Sequence, residues 1–190
     1  MLDQIIKLKI VGKRPLLMHS DVCIDPLNKE AKEIKVLTAK RKKTGDDHEL
    51  IAKLQWQSAL YFDEELGPYL PGINIESCLI EGAKLSRLGT ALKRSIEIVD
   101  ERCALEYDGP RTRQALWDAG FYDARSVKVT TSRIMRYRPL FTKWSCNCDV
   151  VFNQEMIDRQ QVIKSFQDAG AYIGVGDYRP KFGRFSVIER

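Results

Sequence analysis

The sequence predicts an α+β fold, an antiparallel sheet carrying its helices on one face in an elaborated βαββαβ order. Three observations predict it. From Gln4 to Gly12, Ile6, Leu8 and Ile10 alternate with Lys7 and Lys9, the period-two pattern of a half-buried strand. Two helical patterns, Ile73–Leu88 and Gln154–Asp168, each lead toward further strand patterns. The last helix runs into a glycine-rich basic segment, 169–184, and then a short apolar strand, Phe185-Ser186-Val187-Ile188.

Taken in order, Pro15 ends or bends the first strand and Leu16-Leu17-Met18-His19 continues it as an extended apolar piece. Asp25-Pro26-Leu27 opens a helical hairpin inserted at about 25–60, with helices over Lys29–Lys42 and Asp46–Leu60. Ala31, Ile34, Leu37 and Thr38 mark the inner side of the first; Leu50, Leu54, Gln57 and Ser58, with Ile51 beside them, mark that of the second. Asp46 or Asp47 is expected to cap the second helix. Tyr61–Gly72 reads as a short hairpin, and Asn74 as a cap for the helix that follows. Gly89 is placed to end that helix in a left-handed conformation.

Ser95–Val99 and Cys103–Tyr107 are short strands, and Thr112 caps a short helix to Asp118. Ser126–Phe152 reads as one long antiparallel pair bent at Pro139, because proline donates no ladder hydrogen bond. On its return strand Trp144, Cys146, Cys148, Val150 and Phe152 share a face. No internal repeat or linker interrupts the 190 residues, so one ferredoxin-like domain spanning 1–190 with the helical insertion is expected.

Composition narrows the function classes. Hydrophobic residues make up 44% and charged residues 30%, as in a soluble globular protein, and no run reaches the roughly 18 apolar residues of a membrane span. The net charge of +5 permits an acidic partner. Without a charged-then-apolar leader pattern the expectation is no secretion and a cytoplasmic location. The five cysteines are scattered, and Cys146-x-Cys148 lacks a second pair or a histidine to complete a zinc pattern, so buried reduced thiols are expected, with no metal and no cofactor.

Three basic motifs stand out. Lys40-Arg41-Lys42-Lys43 is the densest run of positive charge, either a solvated face or a phosphate grip. Arg133, Arg136 and Arg138 put three guanidiniums within six positions. The third motif, Gly174-Val175-Gly176-Asp177-Tyr178-Arg179-Pro180-Lys181-Phe182-Gly183-Arg184, interleaves glycines, rings and cations. It is either a cradle for a nucleic-acid backbone or a tight helix-to-strand connection. Alanine at Gly174 or Gly176 is expected to cost on the order of 1 kcal/mol.

Two of these places resemble the RAMP (repeat-associated mysterious protein) superfamily of CRISPR proteins. Tyr69-Leu70-Pro71-Gly72-Ile73-Asn74-Ile75 resembles the start of that superfamily's first helix, although the usual serine pair is missing. Gly170, Gly174-Val175-Gly176 and Gly183-Arg184-Phe185 resemble its C-terminal glycine-rich loop. Small phage-encoded proteins with a Gly-Asp-Tyr/Trp-Arg-Pro-x-Phe-Gly-Arg-Phe ending are similar as well. The resemblance implies an RNA-recognition-like domain that binds single-stranded RNA or DNA without catalysis and assembles head to tail along it as a homo-oligomer or filament. The three basic motifs themselves supply the nucleic-acid-binding candidates: Lys40, Arg41, Lys42, Lys43, Arg133, Arg136, Arg138, Gly174, Gly176, Tyr178, Arg179, Lys181 and Arg184.

Two other readings stay open. One is a phage factor that imitates a subunit of a CRISPR-type complex or docks on it. The other is a metal-independent endoribonuclease, for which His19, His48, Asp46 and Asp47 are the candidates, though His19 has no partner near it in sequence.

Overall fold

The computed structural model describes residues 3–190. Its main sheet grows from β1 (Asp3–Gly12), whose Ile6, Leu8 and Ile10 are fully enclosed while lysines 7 and 9 face outward. β9 (Ser145–Asn153) lies antiparallel on one side of β1 and β10 (Phe185–Glu189) on the other. Cys146, Cys148, Val150 and Phe152 of β9 are buried, as their alternation predicts, opposite Ile10, Leu8, Ile6 and Gln4.

β9 then pairs with β5 (Ile96–Ile98) and β6 (Arg102–Glu106) in succession, and β6 carries β4 (Gly67–Pro71) and β3 (Phe62–Asp63). The core order β10-β1-β9-β6 is the 4-1-3-2 order of a ferredoxin-like sheet, with α3 (Gly72–Lys84) and α6 (Arg159–Asp168) as its two crossover helices. These helices bury Ile75, Leu79, Val162 and Phe166 against the sheet. Gln161 accepts from the Asp158 backbone N at 3.0 Å to begin α6, so the helix starts later than its apolar pattern.

The expected long pair over 126–152 is instead two separate partnerships. β7 (Tyr122–Val129) pairs with β8 (Ser132–Phe141), turning at Thr130, while β9 crosses to the main sheet. β8 also pairs with the two-residue β2 (Leu16–Leu17), which makes a small three-stranded sheet. Pro139 therefore sits inside β8. Its carbonyl accepts from Met18 N at 3.0 Å, and its missing N–H falls where the ladder with β2 stops.

Between β2 and β3 run α1 (Lys29–Ala39) and α2 (Gly45–Ala59), packed on one another and against β8. The cap of α2 is Thr44. Its hydroxyl accepts from Asp47 N, and the Asp47 carboxylate accepts from Thr44 N, so Asp47 serves at the third helical position and Asp46 caps nothing. Leu54 and Ser58 are buried as expected, but Leu50 is exposed. The anchor is Trp56, fully enclosed, donating to Phe121 O at 2.8 Å and set edge-on to Trp117 of α5 (Arg113–Asp118).

Two further expectations change around α3. Pro71 precedes the helix without a side-chain cap, and Asn74 donates to the Tyr61 hydroxyl instead. Arg87, at φ 61°, makes the left-handed turn, with Leu88 N bonded to Ala83 O. Gly89 opens α4 (Gly89–Ser95), where an added Cβ would stand 2.7 Å from Lys84 Cγ. The glycine serves close packing rather than a positive φ.

Candidate nucleic-acid interface

Sheet-face recognition of RNA needs aromatic rings on the central strands. The outward residues of β1 include Ile5, Lys7, Lys9 and Val11; those of β9 include Ser145, Asn147, Asp149 and Val151. None is aromatic. Glu106 instead gathers Lys9, Ser145 and Asn147 into a polar network across this face. These two central strands offer no stacking rings on this face, and the outward ring on β4, Tyr69, is covered by Arg102 at 5.5 Å.

The glycine-rich segment begins as a wide π turn, Ala169–Ile173, and folds onto the small sheet. Four of its amides are engaged within the protein: Gly174 N on Ala169 O, Val175 N on Gly183 O, Asp177 N on Leu17 O and Gly183 N on Pro15 O, all at 2.7–2.9 Å. The glycines at 174, 176 and 183 have φ of 81°, 85° and 69°. At Gly176 a Cβ would come within 2.5 Å of Leu17 O, and at Gly183 within 1.7 Å of Val175 O. The close approach they permit is therefore to the protein's own backbone. Of the loop's cations, Arg184 turns its Nε to Pro180 O at 3.0 Å, Lys181 is solvated, and Arg179 projects into open grooves. Tyr178 keeps 43% exposure with Arg125 lying over its ring at 5.2 Å; the same guanidinium covers Phe182 at 4.9 Å.

The three arginines of β8 part company. Arg133 is exposed and donates to the Ser126 hydroxyl. Arg138 lies in the register opposite Asp123 and meets Asp177 at 2.8 Å, off the N–H axis, so this is a charge contact without a formed hydrogen bond. Arg136 has no carboxylate partner among the described residues and lines a cleft beside α1 and α2.

His19 stands at the mouth of that cleft. Its Nε2 is 3.5 Å from Cys23 Sγ, and Asp177, Arg138 and Arg136 surround it. Burial lowers its imidazole from the ordinary 6.5; Asp177 opposes this shift, and Arg138 and Arg136 add to it. The tertiary fold thus adds Asp177, Arg136 and Arg138 to Asp21, the one charged neighbour that the adjacent sequence supplies. His48, Asp46 and Asp47 are not part of this cluster. The bond from Lys40 and the Thr44 amide hold the Asp47 carboxyl down to about 2, and Lys43 donates to Lys40 O. Two of the four cations at 40–43 therefore tie up their own helix ends, while Lys43 also flanks a cleft with Arg136.

Sequence reading missed the most open charge. Lys84, Arg87, Lys93, Arg94 and Arg179 line one shallow groove of about 1020 Å³ along α3 and α4, with Glu76 and Glu81 as its carboxylates. Lys84 pairs with Glu81; the other four cations have no carboxylate partner among the described residues. Arg87 holds φ 61° without being glycine, a conformation that costs roughly 1–2 kcal/mol. The groove continues past Arg179 and Asp177 to His19. Only Lys93 and Arg94 are adjacent; Lys84, Arg87 and Arg179 are scattered, so no long run of charge in the sequence signals the groove.

Burial pushes the thiols of Cys78 and Cys146 up, Cys78 to about 12, and Cys78 donates to Gly174 O at 3.1 Å. All five cysteines are free, four of them buried. No helix among the described residues is long and apolar enough to cross a membrane.

The chain matches no protein-family profile and no curated protein sequence. Among solved structures it is similar to "Cryo-EM structure of the Type III-B Cmr-beta bound to cognate target RNA" at 12% identity and a TM-score of 0.52, over 99% of this chain and 59% of that one. It also aligns with "Crystal structure of Cmr6 from Pyrococcus furiosus" at 12% identity and a TM-score of 0.41, over 100% of both chains. The chain spans about three fifths of the length of the first of these. At such identity the likeness is one of architecture: the strand order 4-1-3-2 and the two crossover helices give this protein a ferredoxin-like α+β fold with antiparallel sheets.

Proposed function

We propose that this protein binds single-stranded nucleic acid, RNA or DNA, without cutting it, along the groove from α4 past Arg179 toward His19. The observation that carries this reading is the set Arg87, Lys93, Arg94 and Arg179, four cations on one open surface without carboxylate partners among the described residues. Phosphates favour such a surface because each contact releases condensed counterions. Tyr172 and Tyr178, exposed by 62% and 43%, flank the same stretch as stacking surfaces for bases. The fold shared with the Type III-B Cmr-beta structure bound to cognate target RNA supports the reading in kind. Arg136, Arg138 and Lys43 extend the contact under the helical pair, whereas Arg133, Lys181, Arg184, Lys40, Arg41 and Lys42 are auxiliary. On this reading copies of the chain, encoded by a phage or its host, line up head to tail along the strand, or one copy docks on a CRISPR-type complex.

A fluorescence-anisotropy titration of a labelled single strand in increasing salt tests it. With about five phosphates neutralised, the log–log slope is expected near −3.5. Affinity that ignores salt overturns the proposal.

The surroundings of His19 favour one second reading, an endoribonuclease. A neutral imidazole beside the Arg136 and Arg138 guanidiniums has the groups needed to take a 2′-hydroxyl proton and steady the developing charge. Cleavage of the same strand that vanishes in His19→Ala would establish it; an intact strand removes it.

A further inference from the structure

A second cavity, of about 390 Å³, opens between the α1–α2 pair and the β7–β8 ribbon. Its size lies within the range of small-molecule sites, about 300–1,000 Å³. One wall is aliphatic, formed by Ile24, Ala31, Ile34 and Ala59. The opposite wall carries Lys128, Arg136 and Arg138, and no carboxylate lines the cavity among the described residues. Arg138 touches Asp177 through Nε, yet its Nη1 is buried without a hydrogen-bond partner. A buried guanidinium nitrogen left unpaired is costly unless something completes it.

Gln55 sits between the two walls. Its Oε1 accepts from Tyr137 N at 3.3 Å, and because a backbone N–H can only donate, this contact fixes the orientation of the carboxamide. The Nε2 is then an unengaged donor among the described residues. Apolar wall, fixed amide donor and cationic wall together match a flat heterocycle with carbonyl edges joined to a phosphate. An aliphatic anion would leave the amide without a partner.

We propose that this cleft holds one nucleotide unit, its base between the aliphatic wall and Gln55, its phosphate on the Arg136 and Arg138 guanidiniums that line the cleft. The unit is either a free nucleoside monophosphate or the phosphorylated end of a strand reaching in past His19, where the cleft meets the groove. The strand arm rests on the binding reading above; the free-nucleotide arm does not.

The test is calorimetric titration of the full chain with the four ribonucleoside monophosphates and with inorganic phosphate. In parallel, anisotropy compares strands ending in a 5′-phosphate and in a 5′-hydroxyl. Two variants accompany the parent, Ala31→Leu, which fills the cleft, and Arg136→Gln, which removes its charge, each checked for folding by circular dichroism. A free nucleotide site predicts that a monophosphate binds the parent at least tenfold tighter than inorganic phosphate and that both variants lose this at least tenfold. A strand-end site predicts at least tenfold tighter binding of the phosphorylated strand, lost in Ala31→Leu, while binding of the hydroxyl-ended strand changes less than twofold. Monophosphate binding with no strand binding at all supports this proposal and removes the groove reading. If no monophosphate outcompetes inorganic phosphate and the two strand ends bind alike, the proposal is overturned. Equal binding by parent and both variants overturns it as well.

Discussion

The glycine-rich loop, 169–185, and the α3–α4 junction, 84–94, are both basic, but they use their groups in opposite ways. In the loop, four amides bond to the protein's own carbonyls, Arg184 folds back on Pro180, and the glycine faces press against Leu17 and Val175. At the junction, Arg87, Lys93 and Arg94 stand in solvent without carboxylate partners among the described residues. A dense motif here marks where the chain packs on itself. The open charge sits on an ordinary helix end, and Arg179 alone joins the two regions by projecting from the loop into the junction's groove.

Glycine replacements give the largest expected effect. Gly183→Ala places a Cβ 1.7 Å from Val175 O at φ 69°, and strain plus overlap should cost about 3 kcal/mol, well above the figure expected for a merely flexible turn. Gly176→Ala should follow closely, whereas Gly45→Ala, with nothing within 4 Å, should be neutral or stabilise by up to about 1 kcal/mol. Chemical denaturation of the three decides it. If Gly183→Ala is as stable as Gly45→Ala, the loop is not the packed element described.

The complementary change is at the junction. Replacing Arg87, Lys93 and Arg94 together with alanine should leave melting unchanged or slightly raised, and should flatten the salt slope of strand binding by about 2. Arg184→Ala, by contrast, should alter that slope little. Equal losses in both variants would dissolve the distinction between the regions.

A smaller effect is expected with pH. Because the folded His19 imidazole titrates below 6.5, the unfolded chain takes up its proton first as pH falls. The stability from keeping it neutral is complete above about pH 6.5 and is lost progressively below that value. His19→Gln should therefore show a shallower fall in melting temperature between pH 7 and pH 5 than the parent. An identical fall in both would place the pH dependence on other groups.

Smallest of all is the replacement of Lys40, Arg41, Lys42 and Lys43 by glutamine. Each exposed change should shift stability by about 0.5 kcal/mol or less. Binding should weaken only through Lys43, the one of the four that flanks the cleft with Arg136. A loss as large as that of the junction variant would make this run a main contact instead.

The sequence by itself determined the two crossover helices and most of the element order, though not α4 or the division of 122–153 among three strands. It also determined the buried face of β9, because periodicity at two and at 3.6 residues is a local property that each segment carries within itself. Pro139 misled because a proline in isolation reads as a break, and only the shortness of β2 makes it harmless inside β8. Trp56 escaped notice because its partners, Phe121 and Trp117, lie far along the chain. The same separation governs the site. Which cations remain open depends on carboxylates brought in from elsewhere: Asp177 to Arg138, Asp63 to Arg102, and none among the described residues to Arg87 or Arg136. The glycine pattern was legible as a tight or close-approach segment, but only the packed fold decided that the approaching atoms are Leu17 O and Val175 O. Charge pairing and van der Waals contact act through space, and the chain order holds no record of which distant groups the fold brings within reach.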